Sequence, residues 1–195
     1  MKLISLPLAK SLLEKYVQAK DNNRPELIDE AFATDAVLTF SIQTDTINFP
    51  QRSEGTADIA RTLVSDFAKT FSRCRTYYVS DKLAFENNAM NTMTIPWFVA
   101  MRESATDTMR AGKGFYRWGF CTARDESWRI AMLHIHIERM DSIPDAEAIS
   151  LQSLHAALDY PWLTADALKL ALDELIVEQP GLACMQIFSE PVPLP

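Results

Sequence analysis

Between Met109 and Met140 the chain alternates in twos, the period of a half-buried strand. Two arms stand out, Gly114–Ala123 and Trp128–Glu138. Both are rich in aromatic and β-branched residues, and the polar link Arg124–Ser127 joins them at an ordinary hairpin length. In the second arm Leu133, Ile135 and Ile137 fall on one face, while Met132, His134, His136 and Glu138 fall on the other. In the first arm Tyr116, Trp118 and Phe120 alternate with Phe115, Arg117, Gly119 and Cys121, so both faces are apolar. A sheet with one wet face does not look like this. One face must cover helices and a pocket. The other must be covered by a second subunit or by the C-terminal helices.

Upstream, Leu8, Leu12, Leu13, Tyr16 and Val17 recur at three-to-four spacing and predict a helix over 7–20. After the turn Asp21–Arg24, Pro25 opens a short second helix through Leu27, Ile28, Ala31 and Phe32, which ends at Thr34 and Asp35. Ala36–Ile42 predicts a strand, and Gln43–Gly55 a loop with a short edge strand. Thr56 is the expected N-cap of a third helix carrying Ile59, Leu63, Val64, Phe67 and Phe71. Strands follow at Arg75–Leu83 and Met90–Arg102, with a turn at Glu86–Asn88; Pro96 implies a bulge or edge. Helices gathered ahead of a meander predict α+β.

Beyond Asp141 the pattern changes. Ser142–Asp145 reads as a helix start, Ile149, Leu151, Leu154 and Leu158 predict that helix, and Thr164 caps another through Leu168, Leu172, Leu175 and Ile176. Pro180–Gly181 stops it, and Pro191–Pro195 is an extended tail. The expected organisation is a main domain over 1–141 and a helical extension over 142–195, whose stripes pack on the main domain or on a neighbouring chain.

Composition narrows the class. With 48% apolar and 23% charged residues over 195 positions, the chain can bury a sizeable core. A net charge of −7 argues against nucleic acid or an anionic membrane as partner, and no apolar run approaches a bilayer span. The first eight residues are too short for a signal segment. Cys74, Cys121 and Cys184 lack metal or disulfide spacing, which suits a reducing cytoplasm and argues against zinc coordination. No cofactor motif is present.

The stretches Leu13–Asp21, Leu27–Leu38, Gly55–Ile59 and Asp125–Ile130 together resemble the nuclear transport factor 2-like superfamily, in particular its SnoaL-like branch, over residues 8–140. The resemblance implies a strongly curved antiparallel sheet wrapped around the N-terminal helices as a cone, often with a small-molecule pocket. The superfamily includes ketosteroid isomerases, scytalone dehydratase and polyketide cyclases. Carried across residue by residue, the isomerase tyrosine falls at Tyr16, but its base aspartate falls at Phe40 and its second aspartate near Gly119. The His-Asp pair of dehydratase-like members is absent from Phe115–Phe120. Isomerase chemistry of that type is therefore not supported.

The same alignment turns Met132, His134 and His136 toward the pocket. The candidate set is then Tyr16 as hydrogen-bond donor and His134 or His136 as general base. Phe40, Trp97 and Met132 form the apolar wall, and Arg117 is either an anchor for a ligand carboxylate or half of an interface ion pair. The competing reading puts both histidines on an outer face or in a dimer interface. They are not expected to hold a metal, since a third ligand, such as Glu138, would have to come from the same strand or from elsewhere in the chain. The expectation is a cytoplasmic homodimer, binding a small apolar or aromatic molecule as a lyase or isomerase, or else a non-catalytic assembly module.

Overall fold

A computed structural model describes residues 3–86 and 91–195. Asn87, Asn88 and Met90 lie outside the described residues. Helix α1 (Leu6–Asp21) presents Ala9, Leu12, Leu13, Tyr16, Val17 and Lys20 to the interior, and α2 (Glu26–Ala31) closes against it. Strand β1 (Phe32–Ile42) starts four residues before the predicted strand, taking in Thr34 and Asp35, and β2 (Arg52–Glu54) is the expected short edge strand. Then come α3 (Gly55–Ala60), a wide π turn over Arg61–Ser65, and α4 (Phe67–Thr70). Thr56 is not the N-cap. The chain enters the helix through Gly55 in the left-handed region (φ 77°), where an added Cβ would sit 3.3 Å from the Thr34 carbonyl. The wide turn buries three successive residues, Thr62, Leu63 and Val64, which a regular helix turn would not.

The remaining strands are β3 (Phe71–Val79), β4 (Ala84–Glu86), β5 (Thr92–Glu103), β6 (Thr108–Thr122) and β7 (Trp128–Pro144), with a 3-10 turn at Ser80–Lys82. Helix α5 (Ile149–Ala157), the two-residue strand β8 (Trp162–Leu163), α6 (Ala165–Glu178) and a 3-10 helix (Pro180–Phe188) make the extension. Ser142–Pro144 continues β7 rather than starting a helix, so the boundary expected at 141 falls inside a strand. Thr164 does cap α6, its hydroxyl accepting from the Ala167 amide at 3.1 Å.

The strands form one curled, unclosed sheet in the order β2-β1-β7-β6-β5-β3-β8, with β4 beside β5. It is antiparallel except where β1 pairs with β7 and β3 with β8. Pro96 is tolerated inside β5, where it pairs with Phe115 of β6 on one side, because on the other side β3 pairs only as far as Trp97 and β4 only from Thr94, so no strand there presents a carbonyl to the N–H that proline lacks. The inner face, with Leu38, Trp97, Trp118, Leu133 and Ile135, packs on α1 to α4 as one core. Outside, a second core joins Tyr77, Phe98, Met109 and Ile143 to Leu151, Leu154, Leu168, Leu172, Met185 and Phe188. The apolar outer face is thus covered by the chain's own C-terminal helices over β3, β5 and β6. Among the described residues no helix is long and apolar enough to cross a membrane.

Candidate functional site

Helix α1 carries the polar end of the inner core because Tyr16 and Lys20, one turn apart, share its buried stripe. Around them a cavity of about 40 Å³ opens between the sheet and α3–α4. Phe40, Trp97, Tyr116, Ile135, Ile137 and Met140 line it from the strands, Leu63 and Phe67 from the helices, and Ile47 and Phe49 from the loop after β1. Phe49 stacks flat on Phe40, with ring centroids 4.6 Å apart, and narrows one side. Tyr16, Tyr116 and Trp118 meet edge-on or tilted at 5.1–5.8 Å, which fixes the tyrosine ring.

The donors are the unusual feature. Tyr16 is fully buried, and its O–H finds no acceptor among the described residues, because the neighbouring Tyr116 hydroxyl acts on it as a donor; the Trp97 indole N–H has no partner among them either. Burial pushes the Tyr16 phenol up to about 12, against the pull of the Lys20 ammonium, so it stays a donor at neutral pH. Both residues line the cavity. An unmatched buried donor costs about 1–3 kcal/mol, and two facing one hollow mark a place for an acceptor.

Lys20 supplies fixed charge. Its Nζ lies 2.7 Å from Asp21 Oδ1 and 3.2 Å from Cys74 Sγ, and it sits 4.7 Å over the Phe67 ring. Burial works against this ammonium, but Asp21, with Cys74 and Tyr16, outweighs it and holds the group protonated far above the ordinary lysine range. Asp21 also accepts from the Thr76 amide and hydroxyl, at 2.7 and 3.1 Å, and from the Tyr160 hydroxyl at 3.0 Å. Cys74 is a neutral thiol, raised to about 12 chiefly by burial. Among the described residues no carboxylate or imidazole lines the cavity. The arrangement can polarise an oxygen atom. It holds no general base.

Sequence reasoning brings Tyr16, Phe40 and Trp97 to one place, and the structure does the same. Met132, Arg117, His134 and His136 stand elsewhere. Leu133, Ile135 and Ile137 take the inner side of β7, and strict alternation then turns both imidazoles to the outer face. There Thr39 Oγ1 meets His134 Nδ1 at 2.8 Å, and Ser41 Oγ bridges His134 Nε2 (2.9 Å) and His136 Nδ1 (2.8 Å). Phe115 stacks on His136 at 4.6 Å, and Arg117 is opposite His134 in the ladder. Burial, then the neighbouring His136 and Arg117, depresses the His134 imidazole, while burial depresses His136 against the pull of Glu138. A base on this face cannot reach a ligand held by Tyr16 through the sheet. Lys20 is the site residue the sequence reading missed. The signal was available: a lysine continuing the apolar stripe of 9, 12, 13, 16 and 17, followed at once by an acid.

The SnoaL-like domain model matches residues 9–134. No curated protein matches the chain. Among solved structures, a nuclear transport factor 2-like superfamily protein from Salmonella enterica serovar Typhimurium superposes with a TM-score of 0.55 at 14% identity, covering 72% of this chain and 92% of that one. LinA superposes at 0.57 with 13% identity, covering 72% and 89%. A scytalone dehydratase-like protein from Novosphingobium aromaticivorans superposes at 0.54 with 11% identity, covering 73% and 93%. At such identities the likeness is one of fold.

Proposed function

The chain belongs to the SnoaL-like domain family, and from that membership we propose that it binds a small apolar or aromatic molecule through a single oxygen acceptor. Tyr16 and Trp97 donate to that oxygen, with Phe40 and Phe49 as the flanking wall. The observation that carries this reading is the pair of unpartnered buried donors lining one apolar cavity. The ligand is neutral at that atom, a ketone or a phenol rather than a carboxylate, because the Lys20 charge is already matched by Asp21 and an unpaired anion would be costly to desolvate. The fold neighbours include dehydratase, dehydrochlorinase and isomerase proteins. A cofactor-free lyase or isomerase reaction here would draw its proton acceptor from the substrate or from water, since the lining has none.

Thermal-shift and calorimetric titration with 1-tetralone, 2-naphthol and benzoate test it. The ketone or phenol should stabilise the protein, benzoate should not, and Tyr16→Phe or Trp97→Phe should each weaken binding about tenfold, the worth of one buried hydrogen bond. Stabilisation that survives both substitutions removes these residues from the site.

A second reading, assembly, is favoured by the size of the hollow, since ligand pockets usually span about 300–1,000 Å³. In it the uncovered half of the outer face, with Phe115, Arg117, Met132, His134 and His136, seats a second copy as a homodimer. Phe115→Asp should then convert a dimer to a monomer in light scattering. A wild-type chain that is already monomeric ends that reading. The three unpaired cysteines fit a reducing cytoplasm.

A further inference from the structure

Between the start of β3 and helix α5 lies a second, more open cavity of about 460 Å³, lined by Asn22, Arg73, Arg75, Gln152 and His155 with Asp21 and Cys74 in its wall. We propose that it is a binding site for a compact dianion, a phosphoryl group gripped by Arg73 and Arg75. The chain carries 26 acidic against 19 basic side chains, and most of its surface cations have a carboxylate beside them, as in Lys15–Glu30, Arg52–Glu54 and Arg139–Asp141. Among the described residues neither Arg73 nor Arg75 has one. The acid in the wall cannot serve them, because Asp21 is already engaged by Lys20, Thr76 and Tyr160. With Lys20 and Asp21 cancelling, two guanidinium charges remain facing one hollow.

The arginines are brought there by the backbone. The β3–β5 register slips between Ser72 and Arg75, and Arg73 takes a left-handed conformation (φ 48°) within that bulge. Arg75 is held ready: one N–H donates to the His155 carbonyl at 2.8 Å, and its guanidinium lies 5.6 Å from the Tyr160 ring centre. It also reaches the Tyr77 hydroxyl, and its remaining N–H groups can turn to an oxyanion, since a guanidinium carries five donors and its fork matches phosphoryl oxygens two at a time. His155 reports the local field. Its ring approaches the Ala100 carbonyl at 3.3 Å through Nε2. Its imidazole is depressed first by burial and then by Arg75 and Arg73, against the pull of the Ala100 carbonyl and Asp21. A dianion between the arginines neutralises that field.

The test uses the full chain, following the His155 ring and the Arg73–Arg75 amides by NMR while inorganic phosphate is added, with sodium chloride at matched ionic strength and succinate as separate arms. Phosphate should give a saturable shift at His155 and at these amides and none at His134 or His136, and Arg73→Gln, an exposed position, should weaken it at least tenfold. Arg75→Lys, which keeps the charge and loses the fork, should also weaken it. An equal response to chloride, or a response unchanged in Arg73→Gln, overturns the site by reducing it to screening. Tighter binding of succinate than phosphate overturns the phosphoryl assignment in favour of carboxylates, and no shift at all overturns the site.

Discussion

At the residue scale the informative groups are those whose local environment disagrees with them. Tyr16 is a buried donor with nothing to donate to, so the apo protein carries the cost of its hydroxyl. Tyr16→Phe should therefore raise apo stability, by up to about 1 kcal/mol in urea unfolding, while weakening ligand binding. A loss of stability of that size would show that the hydroxyl is satisfied in solution and the hollow is merely packing. Gly114 is the opposite case, a residue whose absence of a side chain is required: a Cβ there would lie 1.9 Å from the His136 carbonyl oxygen and 2.7 Å from the Trp97 ring. Tyr16, Phe40 and Trp97 were legible as neighbours through the family resemblance, which sets a first-helix tyrosine against the inner strands; the period alone gave only the face of each element. His134 and His136 were not, because two periodic faces of one strand compete for the inside, and only packing decides that three aliphatic side chains prevail over two imidazoles. Lys20 was hidden by its charge. A lysine at a helix end reads as a solvated one, and the acid that permits its burial pairs with it only once β3 brings Thr76 and Cys74 alongside.

At the element scale the hairpin β6–β7, helices α1, α2 and α6, and the edge strand β2 were all visible as periodicity and caps. What was not visible is where strands end. β7 runs to Pro144 because Met140 and Ile143 find partners in two different cores, a tertiary reason that no local pattern states. The destination of the extension was likewise open, and the structure folds it back. Trp162 donates to Glu14 at 2.6 Å, Tyr160 to Asp21, and β8 joins the sheet beside β3. Leu151, Leu154, Leu168, Leu172, Leu175 and Phe188 are buried there. At roughly 1.5–3 kcal/mol each before the entropy of ordering them, their gross burial rivals the about 5–15 kcal/mol that holds a whole domain together. Removing residues 146–195 should then leave a chain that binds ANS and loses its cooperative unfolding. A truncated chain that stays monodisperse and melts sharply would make the extension a separate, dispensable unit.

At the scale of the whole molecule, one sheet buries its inner face and half of its outer one, and titratable groups are held on each side of it. His134, His136 and His155 are all depressed from 6.5, chiefly by burial. A base whose folded value lies below its unfolded one binds fewer protons folded. Its contribution is thus complete above pH 6.5 and is lost as pH falls through the lower folded value. The inner core acts in the other direction. Burial raises Cys74 from 9.0 to about 12 and Tyr16 from 10.0 to about 12. The folded state keeps protons that the unfolded chain would release, so these contributions are complete below pH 9 and are lost as pH rises toward 12. Stability should then be flat from about pH 6.5 to 9 and fall on both sides, each group adding a slope of up to about 1.4 kcal/mol per pH unit within its window. Urea midpoints measured from pH 5 to 11 give the profile. Cys74→Ala should remove the fall between about pH 9 and 10, below the range where Tyr16 contributes, and leave the acid limb alone, because His134 and His136 lie across the sheet and His155, which shares the outer hollow with Cys74, is depressed by burial, Arg75 and Arg73. An alkaline limb indifferent to that substitution would mean that the Lys20–Asp21–Cys74 cluster is open to water, and with it the polar end of the cavity.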